Sequence, residues 1–380
     1  MCCGKNKKEV FPVQLFSDLF SNVLNFTWQQ LLMVGVGCLL VYLAIKKEME
    51  PTLLLPMGFG AILVNLPGVE AHAISTLFDA GIANELFPLL LFIGIGAMID
   101  FGPLLSNPKM FLFGGAAQFG IFFTLVVAVL CGFELKDAAS TAIIAAADGP
   151  TSIFVSQYFQ SNYTGAIMVA AYSYMALVPI IQPPIIKAIT SKKERLIRME
   201  YTPGNVSKTT RILFPVVVTI IAACVAPMSA ELIGFLMFGN LIRECGVLDG
   251  LSQSAQHELA NLVTILLGIS VSLRMQADQF VRWETILVMG LGLVGFVFDT
   301  VGGVFFAKFL NLFSKKKVNP MIGAAGISAF PMASRMVHKM GRDEDPYNFL
   351  LMHAAGANVS GQIASVIAGG LIITLVEKLL

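Results

Sequence analysis

Ala145–Phe154 reads AAADGPTSIF, and Asp148 within it is the only charged side chain from Ala138 to Ile186, a run of 49 residues. Gly149 and Pro150 interrupt any helix at this point and release backbone carbonyls and amides from intrahelical bonding. If the surroundings are hydrocarbon, an isolated carboxylate costs at least ~2.5–3.5 kcal/mol on insertion scales, so Asp148 needs a partner cation or a proton. A hard, oxygen-seeking cation such as Na⁺ suits it, with Thr151, Ser152 and the unwound carbonyls as neutral ligands. The structural alternative is a helix cap inside a hairpin.

The whole chain supports a lipid setting. Its 380 residues carry 25 Lys+Arg and 24 Asp+Glu, only 13% charged against 56% hydrophobic, and ordinary soluble domains hold about 25% charged residues. Mean hydropathy is +0.77. At about 20 apolar residues per span the length allows ten to twelve membrane segments and leaves no room for a sizeable soluble domain. A net charge of +1 without a basic stripe excludes a nucleic-acid partner. The six cysteines (Cys2, Cys3, Cys38, Cys131, Cys224, Cys245) and four histidines have no metal-ligand spacing. Residues 1–27 read as an N-terminal amphipathic segment of the mature protein, because no cleavage site follows a short apolar core.

Charge gaps predict twelve apolar segments: 28–45, 52–66, 86–101, 109–133, 139–160, 164–186, 212–230, 232–243, 258–273, 285–307, 319–334 and 348–376. Those at 139–160 and 319–334 are broken by Gly-Pro or Phe-Pro and rich in small polar residues, which predicts discontinuous, re-entrant helices. The loop 190–211, flanked by Lys187, has Lys192, Lys193, Arg195, Arg198, Lys208 and Arg211 against Glu194 and Glu200, so it reads as cytoplasmic. With both broken segments re-entrant, Lys46, Lys47, Lys109, Lys308 and Lys315–Lys317 fall on the same side.

The halves resemble each other. GFGAILVNLP at 58–67 precedes GFLMFGNLIRECG at 234–246, LLFIGIGAMIDF at 90–101 precedes TILLGISVSLRM at 264–275, and AAADGPTS at 145–152 precedes AAGISAFPMAS at 324–334, at similar offsets. The expected fold is therefore an all-α polytopic membrane protein with two inverted repeats of five crossings, 28–189 and 212–380, each with one broken hairpin.

The second broken segment carries no acid. It offers Asn319, Ser328 and Ser334 as neutral oxygens around the charge of Asp148, and Arg335 at its end either displaces the cation or snorkels to the interface. Tyr172 and Tyr174 follow the first hairpin, as partners of Asp148 or as interfacial residues. Asp299 in GFVFDTVGG and Asp100 are further acids in or beside apolar spans. Asn358 and Ser360 are ligands or interhelical contacts.

Together AAADGPTSIF, GIGAMIDFGPLLSNPKMFLFGGAAQFGIF, AYSYMALVPIIQPPIIK, FVFDTVGGVFFAKF, NPMIGAAGISAFPMASR and FLLMHAAGANVSGQI resemble the β subunit of the sodium-pumping biotin-dependent decarboxylases, from about residue 30 to the end. The resemblance implies that the chain decarboxylates carboxybiotin and exports Na⁺ while consuming a proton. It implies Asp148 as the central Na⁺ and proton site, Asn319, Gly323 and Ser328 as the second part of that site, and coupling roles for Arg335, Tyr172 and Tyr174; Thr151, Asn358 and Ser360 are further candidate ligands. The implied partners are a biotin carrier subunit, a carboxyltransferase α subunit, a small membrane subunit (γ/δ), lipid and further copies of the chain, in a bacterial cytoplasmic membrane. The family is also similar in architecture to citrate/sodium symporters, which implies a fixed scaffold and a moving core. Lacking the long N-terminal extension of the oxaloacetate branch, the sequence looks more like the methylmalonyl-CoA or glutaconyl-CoA type. The alternative is a stand-alone Na⁺-coupled carboxylate symporter or Na⁺/H⁺ antiporter, which rests on the same repeats and acid.

Overall fold

A computed structural model describes residues 25–380 except 49–50, 202–203 and 205. Most of the N-terminal amphipathic segment expected at 1–27 lies outside the described residues. The described chain is helical, with no strand.

Among the described residues, seven helices are long and apolar enough to cross a membrane: Trp28–Lys46, Pro108–Leu130, Thr164–Ile189, Lys208–Val225, Asp249–Met275, Trp283–Phe313 and Leu351–Leu379. Their ends are set by local chemistry. Thr27 and Gln30 form a reciprocal capping box before Trp28, and the Ser207 hydroxyl accepts the Thr210 amide before Lys208. Leu351–Leu379 is central, with 72% of its most apolar stretch buried; Lys208–Val225 is peripheral, with 11%. The other apolar segments are shorter. Pro51–Val64 has 14 residues, and Leu86–Met98 follows His72–Gly81 across a 64° bend.

The two segments expected to be broken are broken. The first comprises Leu135–Ala142, a 3₁₀ turn Ile143–Ala146 and Gly149–Tyr158. Its pieces of 8 and 10 residues rise about 12 and 15 Å at 1.5 Å per residue, each about half the thickness of a bilayer core. The second comprises a 3₁₀ run Pro320–Gly326 and the helix Met332–Glu344, with a cis Phe330–Pro331 bond between them.

Each broken segment is tied end to end. The Asp137 carboxylate, at the start of the first, accepts the Ser161 hydroxyl at 2.6 Å and the Asn162 amide at 3.1 Å, beyond its end. Asn319 and Asn348, flanking the second, both donate to the Arg195 carbonyl, at 2.9 and 3.1 Å. These ties lie at opposite ends of Thr164–Ile189, a helix of 26 residues or about 39 Å.

The end bearing the basic loop is laced with ion pairs: Lys308 to Glu194 at 3.1 Å, Arg195 to Glu344 at 2.6 Å and Arg198 to Asp345 at 2.5 Å. Arg211 sits between Asp100 and Glu244 at 3.8 and 3.7 Å. The apolar interior forms two clusters. Met33, Leu54, Met57, Phe78, Val263 and Leu267 belong to the smaller one. The larger gathers both broken segments around Leu351–Leu379.

Candidate functional site

The first break puts Asp148 where no helix bond can be continued. Ala147 adopts a left-handed conformation at φ 50°, and Asp148 is extended at φ −112°, ψ 94°. Asp148 then caps Gly149–Tyr158: its Oδ1 accepts the Thr151 amide at 3.2 Å, while the Ser152 hydroxyl donates to its carbonyl at 2.6 Å. The cap and the membrane acid are therefore one residue. A carboxylate at a helix N-terminus is stabilised by the amides and the dipole, and only part of its capacity is used on them.

The other oxygen looks across the bundle. Ser365, on Leu351–Leu379, donates its hydroxyl to Asp148 Oδ2 at 2.6 Å. Asp148 is 2% exposed, and the fully buried Thr151 hydroxyl beside it has no hydrogen-bond partner among the described residues. Tyr172 packs its ring on the Cα of Gly149, so closely that a Cβ there would strike the ring, and its hydroxyl is also buried and unpartnered. Gly149 is required by this approach.

The tips of the two broken segments meet at this point. Ser328 donates its amide at 3.2 Å and its hydroxyl at 2.8 Å to the carbonyl of Ala146, two residues before Asp148. Asn358 braces the second tip, donating to the Ile327 carbonyl at 2.7 Å and leaving its own Oδ1 buried and unpartnered. The result is a buried polar chamber with one carboxylate, the hydroxyls of Thr151, Ser328, Ser365 and Tyr172, and the Asn358 amide oxygen on the second tip. Buried acceptors without donors are costly, and a small alkali cation needs such oxygens. The chamber lies on the seam between the apolar clusters: Ala145–Ala147 belong to the larger, Ile153 and Tyr172 to the smaller.

Other expected ligands are engaged elsewhere. Asn319 accepts the Met321 amide and donates to the Arg195 and Ile197 carbonyls, both at 2.9 Å, which anchors the second segment to the basic loop. Gly323 lies backbone to backbone with Gly303 of Trp283–Phe313, where a Cβ would collide with the Gly303 carbonyl. Ser360 donates to the Met110 and Ala357 carbonyls at 2.8 and 2.9 Å. Tyr174 is two residues from Tyr172, so about 200° around the helix, and its hydroxyl donates to the Met289 carbonyl. Ser334 turns back to the Pro331 carbonyl. Ser365 is not among the residues expected from sequence; its signal is the seven-residue spacing from Asn358, which puts both on one helix face.

Arg335 lies apart from the chamber, exposed on a cleft of about 620 Å³ at the basic-loop end. The cleft is shared by Lys187, Lys339, Asp343 and Glu344, between Pro179 and Pro183 of one helix and Met332–Met340 of the other. Arg335 and Lys339, one turn apart, share a face, and neither forms an ion pair among the described residues.

Residues 29–376 match the family described as the Na⁺-transporting oxaloacetate decarboxylase beta subunit. The chain is 48% identical to the glutaconyl-CoA decarboxylase subunit beta of Acidaminococcus fermentans, over 97% of this chain and 99% of that protein. It is 46% identical to the methylmalonyl-CoA decarboxylase subunit beta of Propionigenium modestum, over 91% and 94%. With the oxaloacetate decarboxylase beta chain 2 of Salmonella typhi the identity is 44%, over 91% and 95%.

Proposed function

The chain belongs to the β-subunit family of the Na⁺-transporting decarboxylases, and from that premise we propose that it decarboxylates carboxybiotin at its cytoplasmic cleft and exports Na⁺ through Asp148. The observation that carries this reading is the Asp148 chamber: one buried carboxylate at a helix break, bonded by Ser365, with the unpartnered oxygens of Thr151, Tyr172 and Asn358 on the elements around it.

In this reading a biotin carrier subunit, charged by a carboxyltransferase α subunit, presents N-carboxybiotin at the cleft. Arg335 and Lys339 hold its carboxylate there, with Lys187 on the facing wall. The N–CO₂ bond breaks, the electron pair stays on the ureido nitrogen, and that nitrogen takes one proton as CO₂ leaves. Asp148 binds either Na⁺ or H⁺, so proton uptake and Na⁺ release compete for one carboxylate. Moving one charge outward against 100 mV costs ~2.3 kcal/mol, which the exergonic decarboxylation offsets.

The fold reading behind this is two inverted repeats with a re-entrant hairpin in each. It is supported by the end-to-end ties of the broken segments at opposite ends of Thr164–Ile189 and by the meeting of their tips at Ala146 and Ser328. The seam between the two apolar clusters gives alternating access a plane to work on. The complex includes a small γ/δ membrane subunit and further copies of this chain, in a bacterial cytoplasmic membrane. Its acyl substrate is of the glutaconyl-CoA or methylmalonyl-CoA type, in keeping with the 48% and 46% identities; that choice resides in the carboxyltransferase.

The test is decarboxylation-driven ²²Na⁺ uptake in proteoliposomes holding the complex. Asp148→Asn is expected to abolish uptake together with Na⁺-stimulated decarboxylation of free carboxybiotin. Retention of either in the variant overturns the reading. Na⁺/H⁺ exchange by the chain alone, without carboxybiotin, would favour an antiporter.

A further inference from the structure

A second acid is buried in the membrane interior and takes no part in the chamber around Asp148. Asp299, in the middle of Trp283–Phe313, is fully buried. The facing span is broken at Gln118, whose ψ of 4° ends Phe111–Ala117 and starts Phe119–Leu130. Asp299 Oδ1 closes that break from outside, accepting the amide of Gly120 in the first turn of a 12-residue helix. Its other oxygen, Oδ2, has no partner among the described residues.

Two more buried oxygens without a partner lie on the same facing span. The Gln118 amide nitrogen donates to the Gly114 carbonyl at 2.9 Å and leans on the Gly326 carbonyl of the second broken segment at 3.5 Å, leaving Oε1 unpartnered. The Thr124 hydroxyl, also unpartnered, sits against the Cα of Gly295. Gly295 is one turn before Asp299, and helical side chains lean toward the N-terminus, so the Asp299 carboxylate is carried toward Thr124. Gln118 and Thr124 are 3% and 1% exposed. Gln118 Oε1, Thr124 Oγ1 and Asp299 Oδ2 thus have no hydrogen-bond partner among the described residues.

We propose that Asp299 Oδ2, Gln118 Oε1 and Thr124 Oγ1 form a second Na⁺ site, distinct from the one at Asp148. The cation would take up oxygens that have no protein partner among the described residues. One turn beyond Asp299, Gly303 touches Gly323, so this site supplies the acid that the second broken segment lacks. The proposal rests on the Na⁺-translocating reading above, and its test separates the two.

The experiment is equilibrium ²²Na⁺ binding to the full-length chain in detergent, for wild type, Asp148→Asn, Asp299→Asn and the double variant. Two equivalents are expected for wild type, one for each single variant and none for the double. Asn at 299 keeps an oxygen for the Gly120 amide, so the helix break is preserved. If that variant misfolds, Thr124→Val provides the readout, with affinity for one equivalent falling about tenfold or more. A wild type that binds one equivalent, all of it lost in Asp148→Asn, overturns this site and leaves the translocation reading standing. Unchanged binding in both Asp299→Asn and Thr124→Val also overturns it. A wild type that binds no Na⁺ overturns both.

Discussion

Ser365 and Asp148 are 217 positions apart in the chain, and the Ser365 hydroxyl donates to Asp148 Oδ2 at 2.6 Å. One bond thus joins the acid of the first break to the most buried of the seven long spans. Movement of the first tip relative to Leu351–Leu379 either strains this bond or leaves the carboxylate needing another partner. A cation arriving at Asp148 competes with that hydroxyl proton and finds the serine lone pairs available once the hydroxyl turns.

Ser365→Ala is therefore expected to weaken Na⁺ binding without unfolding the chain. A hydrogen bond to a charged group contributes about 1.5–3 kcal/mol. The Na⁺ concentration for half-maximal decarboxylation should rise roughly 10- to 100-fold, with the maximal rate less affected. An unchanged Na⁺ dependence would mean that Ser365 only holds the apo state.

The two tyrosines should separate. Tyr172→Phe keeps the ring that packs on Gly149 and removes a hydroxyl that has no protein partner, so stability should hold while apparent Na⁺ affinity falls. Tyr174→Phe removes the bond to the Met289 carbonyl. It should cost about 0.5–1.5 kcal/mol of stability and leave the Na⁺ dependence in place. Thermal unfolding beside Na⁺ titration of the rate distinguishes them, and a reversed pattern would move the site to the Tyr174 side.

The breaks were legible because Pro and Gly act locally, and Asp148 stood out because a lone acid in 49 apolar and neutral residues has no local solvation. What brings the pieces together was not legible. Ser365 is one small polar residue in a helix that also holds Asn358, Ser360 and Gln362, and only packing decides which of these faces the break. Asn319 has the composition of a ligand, yet its carbonyl partners, Arg195 and Ile197, lie more than 120 positions away. The break at Gln118 has no proline, so 109–133 read as one span; the capping acid comes from Asp299, 179 residues on from Gly120.

For Asn319 the anchor geometry leads to a definite expectation. Asn319→Ala leaves the Ile197 carbonyl without its side-chain donor and the Arg195 carbonyl with Asn348 alone, at about 1–3 kcal/mol for a buried group left unsatisfied. Proteolysis within 190–211 should become faster, while equilibrium Na⁺ affinity in the folded fraction stays near wild type. A large loss of affinity with an intact loop would instead make Asn319 an ion ligand.

The last prediction concerns pH at the cytoplasmic end. Arg198 grips Asp345 with two bonds, Nε to Oδ2 at 2.5 Å and Nη2 to Oδ1 at 3.0 Å. That hydrogen-bonded guanidinium, with the Tyr347 amide, holds the Asp345 carboxyl below the usual carboxylate range. A carboxyl depressed in the folded state contributes its stability above its unfolded value, about 3.9, and loses it as the pH falls through the lower folded value. Docking of the loop onto Met332–Glu344 should thus be insensitive to pH between 5 and 8 and loosen only below about pH 4. Hydrogen exchange of residues 195–201 against pH measures this. Asp345→Asn should remove the acid step and give at neutral pH the exchange rates that the wild type reaches in acid. A wild-type loop that loosens near pH 6 would place the control with another group.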